Sequence, residues 1–156
     1  MTADELREEV GIELELLENI VRELASLRAD VGTREPSVRE KTATAAFMAQ
    51  FYGGVENILK RISRFYAVPI PTGDTWHVDL FKGFCKPSHA PLPALFDEAL
   101  AAAMAAYRKF RHVVYHGYGF QLDWRRMQEG MANIDNVFLH FKTTLQDHLL
   151  TLNRQV

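Results

Sequence analysis

The chain has 156 residues, 47% of them hydrophobic and 24% charged, with a net charge of −2 and one cysteine. This composition suits one globular domain and excludes a disordered chain, an internal disulfide and a protein that coats nucleic acid by bulk charge. No uncharged apolar run approaches the roughly 20 residues that cross a bilayer, and the acidic start MTADELREEV lacks the basic and apolar regions of an export signal, so a cytoplasmic protein with no membrane contact is expected.

In the first segment Leu6, Val10, Leu14, Leu17, Val21, Leu24 and Leu27 recur every three or four residues, with acids between them. That period predicts an amphipathic helix over about Asp4 to Arg28. Gly32 and Pro36 break it, and Ser37 with Glu40 forms a capping-box pattern for a second helix running to about Tyr66. The core stripe of this helix is expected at Ala43, Phe47, Phe51, Val55, Ile58 and Ile62. Gly53 and Gly54 would let another helix approach closely. After the turn sequence PIPTGDT, a short helix is expected from Trp76 to Phe84, with Thr75 as N-cap. Its indole would pack a loop onto the bundle, with the His77 imidazole hydrogen-bonded nearby. Cys85 is expected as a small core residue.

The prolines of KPSHAPLP forbid a helix interior and feed a fourth helix that should begin near Pro93 and end around His116. A last helix is expected over about Asp123 to Leu152, with apolar residues at Met127, Met131, Ile134, Phe138, Phe141 and Leu145. Five helices and no clear strand predict a single all-α domain, an antiparallel helical bundle.

The chemically dense stretch closes the fourth helix: Arg111-His112-Val113-Val114-Tyr115-His116-Gly117-Tyr118-Gly119. Arginine is a permanent planar fork for phosphate oxygens, and histidine transfers protons near neutral pH. Arg111 and His116 are about 140° apart on an uninterrupted helix, so they converge only at a helix end, which Gly117 and Gly119 can supply. Two other readings stand beside this one. Arg111 could pair with an acid on a neighbouring helix while His116 caps the helix C-terminus, or His112 and His116, four residues apart, could hold a metal ion. Metal-free RNA cleavage would need a base, an acid and a cation. A symmetric dimer would provide two copies of Arg111 and His116, and His112 could serve as a second imidazole in one chain.

At these residues the sequence resembles the HEPN superfamily, specifically the HepT-like ribonuclease toxins, whose motif is Arg, four to six residues, then His, often followed by x-Tyr. Arg111, His116 and Tyr118 match it, and the blocks FYGGVENILKRI, DTWH and FRHVVYHGYGFQLDW occur in the order found in such proteins. The resemblance implies a homodimeric, metal- and cofactor-independent endoribonuclease acting on RNA, encoded beside a minimal nucleotidyltransferase antitoxin. It further implies that Arg111 stabilises the scissile phosphate, that His116 transfers protons, that His112 is the polar residue after the motif arginine, and that Tyr118 is the tyrosine modified with AMP. Glu56, in GGVEN, is expected either to orient Arg111 or His116 or to be a solvated helix residue. Lys109, Arg125 and Arg126 are candidate RNA-binding residues. Many relatives carry a basic residue where this chain has Tyr115, a departure compatible with the alternative role of a non-catalytic module that binds a nucleotidyltransferase and its substrate or nucleotide.

Overall fold

The computed structural model describes residues 1–116 and 123–152. These residues form five helices: α1 (Ala3–Val31), α2 (Val38–Phe65), α3 (Trp76–Lys82), α4 (Glu98–Tyr115) and α5 (Trp124–Thr151). Among the described residues there is no strand, only an isolated bridge between Cys85 and Phe96. The protein is all-α, as its sequence periodicity predicts.

Each long helix starts where a short polar side chain can accept the first free backbone N–H groups. Thr2 and Glu5 form a capping box on α1, and Ser37 and Glu40 form the expected one on α2. Arg34 also holds Glu40, at 2.7 Å, and the two contacts pull the Glu40 carboxyl down to about 2. Asp97 caps α4 by accepting the Leu100 N–H at 2.7 Å. The fourth helix therefore begins at Glu98 and not near Pro93, because the segment before Asp97 runs back alongside Phe84 through the Lys86–Phe96 and Phe96–Phe84 backbone bonds. Thr75 is not the expected side-chain cap for α3. Its hydroxyl donates to Asp79 instead, and the helix stops at Lys82 before Gly83.

α2 lies at the centre and packs against all four other helices. The predicted α1 stripe from Leu6 to Leu24 is buried, as are Phe51, Val55, Ile58 and Ile62 on α2. Phe51 meets Tyr107 of α4 and Phe138 of α5 edge-on at 5.3 and 6.4 Å, so one ring ties three helices together. Cys85 is only partly buried and packs against the edge of this core, so it is not a full core residue.

The adjacent glycines of α2 have different neighbours. A Cβ on Gly54 would come within 2.5 Å of Leu17 on α1, whereas one on Gly53 would reach no closer than 3.8 Å, to the Arg111 Nε. Leu17 is fully buried and cannot swing away. Gly54→Ala should therefore lower the unfolding free energy by about 1–2 kcal/mol, overpacking outweighing the helix-propensity gain, and Gly53→Ala should leave it unchanged or raise it by up to about 1 kcal/mol. Urea titration of both variants checks the contrast.

At the far end of the bundle the Tyr66 hydroxyl lies 3.0 Å from His148 Nε2. Burial pushes the His148 imidazole below its ordinary value of 6.5. A histidine depressed in the folded state contributes stability that is complete above that ordinary value and is lost as pH falls through it, because the unfolded chain takes up the proton first. The unfolding free energy should fall on acidification below pH 6.5, and His148→Gln should remove that part of the fall; urea titrations at neutral and mildly acidic pH measure the difference.

Candidate functional site

Glu56 sits in the buried stripe of α2, between Tyr52 and Leu59, and is 2% exposed. A carboxylate at such a position is destabilising unless it is paired and hydrogen-bonded. Two neighbouring helices supply the partners. His77 of α3 places Nδ1 2.5 Å from Glu56 Oε2, and Arg111 of α4 places Nη1 3.3 Å from Oε1. An ionised carboxylate only accepts, so His77 Nδ1 carries the proton and donates it to Glu56. The Arg111 Nη1 forms an ion pair with the carboxylate and also lies within hydrogen-bond distance of His77 Nδ1, 3.3 Å away, a bond the ring accepts only when Nδ1 is without its proton. Of the two expectations for Glu56, orienting Arg111 is what the geometry shows. It is not a solvated residue, and its second partner is His77 in place of His116.

The site opens onto a cavity of about 840 Å³ between the start of α3 and the last turns of α4. Arg111, His112 and His116 line it together with His77, Arg108, Lys109 and Tyr115. Arg111 and His116 thus border one cavity although their helical angles differ, with His116 as the C-cap of α4. The His116 Nδ1 lies 2.8 Å from the His112 carbonyl, which accepts its N–H, so Nε2 is the ring nitrogen outside that bond. The His112 and His116 rings lie 4.0 Å apart. Among the described residues no group of three or more His, Cys, Asp or Glu side chains could hold a metal ion. The bond from His116 to the His112 carbonyl and the pairing of Arg111 with Glu56 match the capping and ion-pairing contacts expected of them, and they coexist with access to the cavity: the Arg111 side chain is 24% exposed.

Two buried polar atoms on this wall have no partner among the described residues, the Arg111 Nε and the Tyr52 hydroxyl. Burial, reinforced by the negative charge of Glu56 and opposed by Arg108 and Arg111, pushes the Tyr52 phenol far above its ordinary value, so it stays protonated. The Tyr115 ring is 66% exposed and lies against the guanidinium of Arg111, 4.7 Å away. Trp76 stacks on His77 at 3.5 Å and carries the Lys60 ammonium at 4.4 Å on its ring. The expected packing of the indole and hydrogen bonding of the imidazole are both present.

The candidate RNA contacts divide. Lys109 is exposed and borders both this cavity and a second one between α4 and α5, Arg126 pairs with Asp123 at 3.7 Å and borders the second, and Arg125 is exposed without lining either. Tyr118, Gly117 and Gly119 lie outside the described residues. Sequence reasoning did not single out Arg108 as a cavity residue or His77 as a partner of Glu56.

The family profile described as HepT-like protein matches residues 43–152. The chain belongs to the HepT-like family. The matched span takes in most of α2 and all of α3 to α5, hence all three members of the Glu56 cluster, while α1 lies outside it. Searches of the curated proteins and of the solved structures gave no match. Membership places this HepT-like protein in a HEPN toxin context, and none of its described helices is long and apolar enough to cross a membrane.

Because every partner of Glu56 is a donor, Glu56→Gln would turn an amide N–H2 toward the guanidinium or the imidazole N–H. Its unfolding free energy should be lower by about 1–3 kcal/mol in urea titration.

Proposed function

We propose that this HepT-like protein is the toxin of a toxin–antitoxin pair, a metal-independent endoribonuclease that cleaves RNA in a cleft formed by a homodimer. The observation that carries the reading is the shared cavity of Arg111 and His116, walled by further cations at Arg108 and Lys109. Arg111 would bind the scissile phosphate and stabilise the charge that builds on its oxygens, and His116 would transfer a proton through Nε2. Glu56 holds Arg111 in place, and His112 packs against the His116 ring. Lys109, with Arg125 and Arg126, would contact the RNA backbone outside the reacting phosphate.

The partner is a minimal nucleotidyltransferase antitoxin encoded beside the toxin. It would neutralise the protein by covering the cleft or by attaching AMP to Tyr118, two residues beyond His116, where added bulk and negative charge would repel RNA phosphates. The Tyr115 ring on Arg111 favours a second reading, in which the cavity serves a non-catalytic module that binds the nucleotidyltransferase and its nucleotide.

Purified protein incubated with total RNA in excess EDTA separates the two. The proposal expects cleavage that leaves 2′,3′-cyclic phosphate ends and falls by about 10²–10⁴-fold in folded Arg111→Ala and His116→Ala variants. Absence of cleavage by the dimeric, unmodified parent would sink the ribonuclease reading in favour of the binding module.

A further inference from the structure

A metal-free ribonuclease site needs two proton-transfer groups, one on each side of the phosphate; His116 supplies one, and the partner protomer's copy of it and a second histidine of the same cavity compete for the other. The geometry points to His77 as the second, a catalytic base supplied by the same protomer and oriented by Glu56; this inference rests on the ribonuclease reading above. His77 lies on α3, 34 residues before Arg111, and belongs to no Arg-to-His motif. Three features set it apart from a histidine that merely fills space. Its Nδ1 lies 2.5 Å from a carboxylate that is 2% exposed, closer than to the Arg111 Nη1, a contact that favours the Nδ1–H tautomer and leaves the lone pair on Nε2. Its ring is clamped between that carboxylate and the Trp76 indole 3.5 Å away, so its direction is set before any ligand arrives. Its side chain is 32% exposed and lines the cavity that His116, Arg111 and Lys109 also line. A buried carboxylate, a histidine with fixed Nδ1–H and a free Nε2 is the arrangement by which an acid orients an imidazole base.

The step balances as follows. His77 Nε2 takes the proton of the RNA 2′-hydroxyl, and the oxygen released attacks phosphorus. The bond from phosphorus to the 5′-oxygen breaks, and that oxygen leaves with the Nε2 proton of a protonated His116. The products are a 2′,3′-cyclic phosphate and a free 5′-hydroxyl, and exchange with solvent returns both histidines to their starting protonation. Arg111, held by the same Glu56, faces the non-bridging oxygens throughout. The base, acid and cation of each protomer then line one cavity, which the homodimer brings into the shared cleft.

The test uses the full-length protein and total RNA in EDTA, with His77→Asn and His77→Ala beside the parent. Asparagine retains an N–H for Glu56 and so preserves a positioning role, but it cannot transfer a proton. The inference expects His77→Asn to be folded and about 10²–10⁴-fold slower than the parent, and expects added imidazole to restore part of the activity of His77→Ala. At a cleavage site mapped with the parent, an RNA with sulfur in place of the bridging 5′-oxygen needs no acid, because a thiolate leaves unprotonated. That RNA should rescue His116→Ala and leave His77→Asn slow. Activity of His77→Asn within about threefold of the parent would overturn the inference and leave the ribonuclease reading standing. So would rescue of His77→Asn, and not of His116→Ala, by the sulfur-bridged RNA. A parent that cuts nothing would remove the ribonuclease reading itself, and this inference with it.

Discussion

One buried carboxylate organises this molecule's candidate site. Glu56 lies in the apolar face of the central helix, where an unpaired charge would cost several kcal/mol, and its compensation comes from two other helices at once. The requirement for donors draws α3 to one oxygen and α4 to the other. It also sets what those donors can do: the His77 tautomer follows from the direction of its bond to Glu56, and the Arg111 fork is anchored by Nη1 while part of the guanidinium stays open to the cavity. Fold and chemistry are thus coupled through the same atoms.

The second constraint is where α4 stops. His116 closes α4 as its C-cap, with its backbone N–H and its Nδ1 both directed at the His112 carbonyl, and its ring lines the same cavity as Arg111. The charge layout agrees with this division of the molecule. Eight acids lie between Asp4 and Glu23 on α1, and Glu9 and Glu13 there are tied to Arg61 of α2, while Arg108, Lys109 and Arg111 gather on α4 at the cavity. A chain with a net charge of −2 can therefore present a local cationic surface suited to a phosphate chain.

The helices are legible because the apolar residues recur at the helical period: the stripes read for α1 and α2 are buried except at Leu27, Ala43 and Phe47, which are only partly covered. The errors lie where the period stops. Proline preference puts the start of α4 near Pro93, although Asp97 followed by the helical EALAAAM carries the stronger capping signal. The spacing of Thr2 and Glu5 is a capping box as well, and it starts α1 at Ala3, one residue before the Asp4 that the apolar period gives. The site was half legible. Arg111 and His116 stand out by type and spacing, and Glu56 betrays its burial by sharing a face with Tyr52 and Leu59. The partner from α3 could not be found that way, since 21 residues and an irregular turn separate Glu56 from His77 and no local spacing encodes their meeting.

The tautomer of His77 is the most direct test of this account. Two-bond 1H–15N correlation spectra of the histidine rings, recorded at a pH where the imidazoles are neutral and assigned with a His77→Asn variant, distinguish the protonated from the unprotonated nitrogen. The account predicts that His77 is held as the Nδ1–H form, with Nε2 bare, and that Glu56→Gln disturbs this preference. A His77 ring found as the Nε2–H form would contradict it, because the bond to Glu56 on which the site depends would then be absent.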